Sequence, residues 1–446
     1  MSSYYDGLNE KLLNTIPKNA NKILELGCAN GKLGRRYKEL NNHVFWVGID
    51  INKNAIQEAS KYLDEAYQID IDKADLLNIG KDFDTIVIGD LLEHLKNPED
   101  LLDKLYDLSL PNASLVCCIP NTAHISIVER LLSGDFSYDQ MGLLDVTHTR
   151  LFSASSAIKI FLNSGWLPDI VNRYDTPLRV DKFTESILNS AGILGIPRTT
   201  ALDQLSLYQM IIKCEKWPLT IFEKNGPEEP FSVIVPVNRP WQYELNILRS
   251  PGLKEINADI VPVFNAKSAA DAYQIGAEKS KHQWKILVHQ DVYFPSCTGL
   301  AIRRHLGKLS EKKFTRHAIG FAGLKEAFDG NFDKSGLVID RKRLFKHSTT
   351  NHACSIDEFA VALHEEADVV IDPKMGWHLW GTDLCMQSKN AFNQYQNKII
   401  DVPLFHNSTN DFTLPNDFYE SLNQIFLKYP QLKSLHTLCG EFNKKI

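Results

Sequence analysis

The sequence predicts an α/β protein built from two successive series of strands and helices, and three observations carry that reading. At 446 residues the chain exceeds the size at which one hydrophobic core usually keeps growing, so two domains are expected. Short apolar runs alternate with helix-like segments through the first half, which points to a doubly wound, mostly parallel sheet. A stretch rich in proline and charge, EKWPLTIFEKNGPEEP at 215–230, breaks this alternation, and a fresh strand–helix series follows it. The expected organisation is a first domain over 1–216, a connection over 217–229 and a second domain over 230–446.

In the first half, NKILEL, VFWVGIDI, YQIDI, FDTIVIGDL and ASLVCCIP read as strands, and KLGRRYKEL, NKNAIQEASKYL and PEDLLDKLYDL as the helices between them. From about Asn121 to Tyr174 the pattern loosens into loops and helices expected beyond the strand ends, and LYQMIIKC at 207–214 is expected to close the sheet. The segment ILELGCANGKLG at 23–34 places Glu25, Gly27 and Gly31 where a strand turns into a helix. Glycines there let the backbone approach a ligand closely. Asp50 ends the second strand with Ile51 after it, at the spacing where a carboxylate can accept both hydroxyls of a ribose. Asp70 ends the third strand and Asp90 the fourth.

Composition narrows the class. With 43% hydrophobic and 23% charged residues the chain falls in the range of ordinary globular proteins. Lys+Arg 49 against Asp+Glu 55 leaves a formal charge of −6, so no general nucleic-acid-binding surface is expected. The start, MSSYYDGLNEKLLNTIPKNA, lacks the basic and apolar regions of a signal peptide, and no later stretch has the apolar length of a membrane span. A cytoplasmic protein without a transmembrane segment is expected; peripheral placement at the inner membrane face and oligomerisation stay open. The eight cysteines are scattered without a CxxC pair, and Cys117 and Cys118 lie in an apolar run, so reduced structural thiols are expected.

The Gly-rich turn and the fourth-strand motif GDLLEHLKNP, with Asp90, Glu93, His94 and Pro98, resemble the class I S-adenosylmethionine-dependent methyltransferases with LELGC and D-x-L-E-H motifs. The resemblance implies a Rossmann-like domain and S-adenosylmethionine as cofactor. It places the methionine part at the turn from Gly27 to Gly31, the ribose at Asp50, and the adenine near Asp70, with Glu25, Ile51 and Asp90 completing the cofactor set. The stretch 119–153 is similar to the substrate-side region of methyltransferases of bacterial polysaccharide and glycan pathways. His94 is the candidate general base, since an imidazole can take a hydroxyl proton near neutral pH. Packing or capping is its structural alternative. His124, His148 and Arg150 are candidate ligands for sugar hydroxyls or a phosphate, with plain loop polarity as the alternative. Where such enzymes often carry a basic residue after the Leu-Asp pair, this chain has Val146, which bears on the acceptor and not on the cofactor.

In the second half, FSVIVPV at 231–237, with Pro236 near its end, reads as a buried strand, and WKILVHQDVYFP at 284–295 runs into His289, Gln290 and Asp291. These segments resemble GT-A glycosyltransferases, whose DxD motif holds a divalent metal on the donor diphosphate. Only the last acid is present here; a histidine at the first position is compatible with Mn²⁺ and leaves Mg²⁺ open. The run GWHLWGTDLCMQ at 376–387 resembles the acceptor-side motif of inverting enzymes, which makes Asp383 the candidate base and Trp377 and Trp380 candidate sugar-stacking residues. In VPLFHNST at 402–409, His406 joins His289 and Asp291 as a candidate metal or diphosphate ligand. The run SIDEFAVALHEEA at 355–367 reads as a helix with Asp357 and Glu358 in structural roles at its start, and NDFYESLNQIFLKY as a terminal amphipathic helix.

Together these residues read as a bifunctional transferase of bacterial surface glycan or glycoconjugate synthesis. One domain O-methylates a sugar hydroxyl; the other transfers sugar from a nucleotide-sugar donor to a glycan, lipid-linked saccharide or glycoprotein. The alternatives are a methyltransferase whose second domain is an inactive glycan- or nucleotide-sugar-binding module, and a scaffold that transfers nothing.

Overall fold

Ile23, Leu24 and Leu26 are fully buried, and the run Lys22–Leu26 forms strand β1 at the middle of the first sheet. The computed structural model describes residues 7–73, 76–217, 226–327, 330–389, 394–411 and 413–444. The chain divides into two compact units, Met1–Pro218 and Leu219–Ile446. Most of the connection expected over 217–229 lies outside the described residues.

Around β1 the first unit sets β2 (Phe45–Asp50), β3 (Glu65–Gln68), β4 (Phe83–Gly89), β5 (Ser109–Pro120), β6 (Trp166–Asp175) and β7 (Leu207–Lys216) in the order β3-β2-β1-β4-β5-β7-β6. The strands β1 to β5 are parallel, while β7 runs antiparallel to β5 and β6 antiparallel to β7. Near-continuous burial along β1, β2 and β4 is what a parallel sheet covered on both faces requires. Because these strands point the same way, the residues that follow Leu26, Asp50 and Gly89 emerge at one edge.

Three expectations for this unit change. The stretch Trp166–Asp175, read as loop and helix, is the edge strand β6: Trp166, Leu167 and Ile170 are buried, and polar residues that hid the pattern fill its outer half. The run at 207–214 therefore does not close the sheet but lies between β5 and β6. Asp70 also falls two residues beyond the end of β3.

The second unit begins as expected, with β8 (Phe231–Val237), β9 (Asp259–Phe264) and β10 (Trp284–Val288) parallel to one another through β8. The remaining strands are mostly antiparallel: β11 (Val292–Tyr293), β12 (Ile319–Gly320), β13 (Ala322–Glu326), β14 (Phe332–Asp340), β15 (Arg343–His347), β16 (Thr350–Ile356), β17 (Ala360–His364), β18 (Asn397–Ile399) and β19 (Leu404–His406). The sheet runs β11-β19-β14-β13-β16-β18-β12-β17-β10-β8-β9, with β15 on β14. The stretch read as a helix over 355–367 is the end of β16, a turn at Asp357 and Glu358, and β17, every residue of which is buried. Alanine, leucine and glutamate favour a helix there, but burial on both sides overrides propensity.

The helix Asn416–Lys428 forms as its periodicity suggests and sets Phe418, Leu422, Ile425 and Phe426 into the core of its own unit. It is not terminal, since the hairpin β20 (Ser434–Thr437) and β21 (Gly440–Asn443) follows it. Among the described residues no helix is long and apolar enough to cross a membrane, and all eight cysteines are free.

Candidate functional site

At the shared edge of β1, β2 and β4 the backbone turns in the left-handed region at Gly27 (φ 72°), Ala29 (φ 48°) and Gly31 (φ 76°). Gly31 precedes the helix Lys32–Leu40, and a Cβ there would meet Ala59 Cα at 3.0 Å, so glycine is required both for φ and for space. Asp50 ties the turn to β2: one carboxylate oxygen accepts from Ala29 N at 2.9 Å and the other from Asn52 N at 2.8 Å. Each oxygen keeps a second lone pair. Ile51, next to it, is 63% exposed and offers an apolar face at the strand end.

Glu25 lies near the turn-ward end of β1, next to Leu26. Its buried carboxylate accepts from Trp46 Nε1 at 2.8 Å, and burial lifts its pKa to about 8. The structure thus turns this carboxylate toward Trp46. Asp70 is held by Lys73 at 2.6 Å in the loop after β3. Asp90 follows β4 with φ 47°, accepts from Gln209 Nε2, and is raised to about 6 by burial.

Beyond Asp90, the short turn of helix Leu92–His94 carries Glu93 and His94 toward a loop at 145–150. Thr149 N and Arg150 N donate to Glu93 O at 2.8 and 3.0 Å, Thr149 Oγ1 donates to Leu95 O, and Arg150 Nε to Lys96 O. These bonds bring His148 against His94, ring centroids 4.8 Å apart and edge to face. One ligand atom each from Glu93, His94 and His148 lies within 4.8 Å of the other two. Burial and neighbouring His148 lower the pKa of His94, while burial and the nearby Asp90 hold the Glu93 carboxyl well above its usual range. The structure thus joins His94 and His148, which the sequence listed in different roles, and adds Glu93. It sets Arg150 in a bracing role. His124 is buried and caps the helix Ile125–Ser133 by accepting from Ser126 N, so it is a helix cap rather than an open sugar ligand.

In the second unit, β10 ends at the loop carrying His289, Gln290 and Asp291, and β19 ends in His406. Val292 pairs with His406 across β11 and β19, which draws His289, Asp291 and His406 together; one ligand atom from each lies within 4.8 Å of the others. Asp291 is buried with Oδ1 lacking a hydrogen-bond partner among the described residues, 3.6 Å from His406 Nε2. His406 Nδ1 lies 3.0 Å from Asp340 Oδ1, and its ring stacks on Phe359. Burial opposes charge on His406, but Asp291, Asp340 and Asp357 outweigh it and lift its pKa to about 9; burial pulls His289 down to about 4. Gln290 Oε1 accepts from Asn238 N and Arg239 N, fixing the loop just past Pro236 and the end of β8.

The other expected residues of this unit are structural. Asp383 opens the helix Trp380–Gln387 as expected but is 0% exposed, and its carboxylate accepts from Lys428 Nζ (2.8 Å), Tyr429 OH (2.8 Å) and Gln387 Nε2 (2.7 Å). A base must reach an acceptor, and this one is enclosed. Trp380 is buried in the core, and half-buried Trp377 packs against the same cluster.

Residues 24–115 match the family model of a methyltransferase domain. The first unit carries a methyltransferase domain. Among solved structures, the chain is similar to a SAM-dependent methyltransferase from Archaeoglobus fulgidus, with 17% identity, 48% of this chain and 96% of that one covered, and a TM-score of 0.34. It is similar also to the plantazolicin methyltransferase BpumL in complex with SAH (16% identity, 44% and 76% covered, TM-score 0.30). A third is the O-methyltransferase of a trans-AT PKS multienzyme of Brevibacillus brevis (15% identity, 47% and 71% covered, TM-score 0.32). No curated protein matches the chain in sequence.

Within the methyltransferase domain the residue that motif reading left without a role is Glu93, although it stands in the quoted D-x-L-E-H motif. In the second unit it is Asp340, which ends the apolar run GLVID just as Asp50 ends VGID. For Asp340 an acid closing a buried strand was the available signal; for Glu93 it was the motif itself.

Two outcomes follow from the second unit. Replacing Asp383 by Asn leaves Lys428, 32% exposed, with Asp372 as its remaining carboxylate and takes the charged acceptor from Tyr429 and Gln387; it should lower stability by about 1.5–3 kcal/mol, the range for hydrogen bonds to charged groups. Urea unfolding checks this, and an unchanged midpoint would remove the structural role. For His406 the folded pKa lies above its ordinary value, so its stabilising contribution is present below about pH 6.5 and lost as pH rises through about 9. The stability difference between wild type and His406→Gln, measured across that window, should shrink with rising pH; a difference that grows contradicts the charge assignment.

Proposed function

We propose that the first unit transfers the methyl group of S-adenosylmethionine to a sugar hydroxyl, and that the second binds a nucleotide-diphosphate sugar. One observation carries the first half. A left-handed Gly27–Gly31 turn, the Asp50 carboxylate and the Glu93–His94–His148 group converge at the carboxyl edge of a sheet whose segment 24–115 matches a methyltransferase domain. When bound, S-adenosylmethionine supplies an electrophilic methyl group on its sulfonium. The turn's glycines leave room for the methionine part, the second lone pairs of Asp50 receive ribose hydroxyls, and Ile51 covers one face of the adenine. Glu93, His94 and His148 lie past the end of β4, beside Leu91, whose Cβ is 3.7 Å from where a Cβ on Gly27 would sit. They face the acceptor oxygen from which a proton must leave. The glycan pathway rests on the resemblance of 119–153 to substrate-side regions of polysaccharide methyltransferases.

For the second unit the support is the Asp291–His406 cluster at the ends of β10 and β19. Its buried carboxylate oxygen, without a hydrogen-bond partner among the described residues, and two imidazoles fit a divalent cation, with Mn²⁺ suited better than Mg²⁺ to nitrogen ligands. Such a cation supplies charge neutralisation for a diphosphate. His289, Asp291 and His406 would hold it, and Asp340 would orient His406. Acceptors in this reading are a glycan, a lipid-linked saccharide or a glycoprotein. The enclosure of Asp383 favours a second reading, in which this unit binds nucleotide sugar without transferring it.

Two experiments test these halves on the intact chain. Calorimetry should show Asp50→Ala weakening S-adenosylmethionine binding by about 1.5–3 kcal/mol; unchanged affinity in the folded variant refutes the ribose assignment. Uridine, guanosine and thymidine diphosphates titrated with Mn²⁺ or chelator should include one whose affinity depends on Mn²⁺, and that dependence should vanish in Asp291→Ala. If none binds under either condition, the second unit holds no nucleotide-sugar site.

A further inference from the structure

The Glu93–His94–His148 group has the composition of a cation site rather than of a lone base. Glu93 is 2% exposed, and its Oε2 has no hydrogen-bond partner among the described residues, a costly state for a buried carboxyl oxygen. Both imidazoles are held from behind. His148 Nδ1 donates to Leu143 O at 3.1 Å; His94 Nδ1 donates to Thr147 Oγ1 at 2.9 Å, whose own proton goes to Asp145 Oδ1, and lies 3.3 Å from Thr147 O. With Nδ1 carrying the proton, Nε2 of each ring carries the lone pair, which is the arrangement seen around metal-binding histidines. Since the three ligand atoms lie within 4.8 Å of one another, some point is no more than about 2.8 Å from each. Metal–ligand bonds of about 2.0–2.2 Å then require only sub-ångström closure.

We propose that Glu93, His94 and His148 bind a divalent first-row transition cation in the methyltransferase domain. Two nitrogens and one carboxylate oxygen suit Mn²⁺, Co²⁺ or Zn²⁺, and three protein ligands leave coordination positions open. The acceptor's hydroxyl oxygen fills one of them. Coordination lowers the pKa of that hydroxyl, so its proton leaves to water without a protein base. The O–CH₃ bond forms as the S–CH₃ bond breaks, and the sulfonium becomes a neutral thioether. His94 is then a ligand and not a proton acceptor. The catalytic part of this inference rests on the methyl-transfer reading above; the cation site does not.

The test uses the full chain carrying Asp291→Asn and His406→Gln, so that the cluster of the second unit does not contribute. After removal of metal with a chelator, Co²⁺ is titrated while visible d–d absorption and heat are followed, and S-adenosylhomocysteine binding is measured on the same sample. One equivalent of Co²⁺ should bind with visible bands. Adding Glu93→Gln or His148→Gln should weaken it at least about 100-fold, since even loss of an outer hydrogen-bonding partner costs 10–100-fold. If Glu93→Gln does not fold, His148→Gln decides. Absence of Co²⁺ binding, or equal affinity in the ligand variants, overturns the site. Co²⁺ failure with intact S-adenosylhomocysteine binding leaves the methyl-donor reading standing; the converse removes that reading and keeps the cation site.

Discussion

The carboxylate of Asp50 bridges the amides of Ala29 and Asn52, and through them it joins the end of β2 to the turn that leaves β1. That turn needs three left-handed positions within five residues, two of them glycine, and such backbone is strained unless its surroundings hold it. Asp50 holds it through the Ala29 amide. Without this clamp the parallel edge would still form, but the backbone amides of the turn and the Asp50 carboxylate would not share one rigid geometry. The rest of the domain's site is arranged on that edge: Asp90 at the end of β4, and Glu93 and His94 one turn later.

The second unit solves a different electrostatic problem. Three carboxylates, Asp291, Asp340 and Asp357, surround one histidine in a largely buried place, and the imidazole is held charged by them. Such a group is stable only while its charges balance. Asp383 shows the same physics with no opening. Its two oxygens take an ammonium, a phenol and an amide, and the helix Trp380–Gln387 is thereby locked to the chain that follows the helix Asn416–Lys428.

Much of this was legible in the sequence, and the losses have identifiable causes. Fully apolar strands such as KILEL and FDTIVIG announce themselves, and glycines with an acid one strand later mark a ligand edge. The edge strand β6 was hidden because only half of it is buried. The strand β17 was hidden because its residues favour a helix in isolation. Asp383 looked catalytic because its partners Lys428 and Tyr429 lie 45 and 46 positions away, beyond any local pattern. His124 read as a candidate sugar ligand because a histidine is an unusual helix cap. The pairing of His94 with His148 depends on a loop braced by Thr149 and Arg150, which spacing alone does not reveal.

Hydrogen exchange of the intact chain with and without S-adenosylhomocysteine addresses the central claim most directly, because the account makes one edge of one sheet the place of cofactor binding. It predicts new protection at the amides of 27–31, 50–52 and 90–94, with little change along β6 or in the second unit. Protection confined to other segments, or none at saturating ligand, would contradict it.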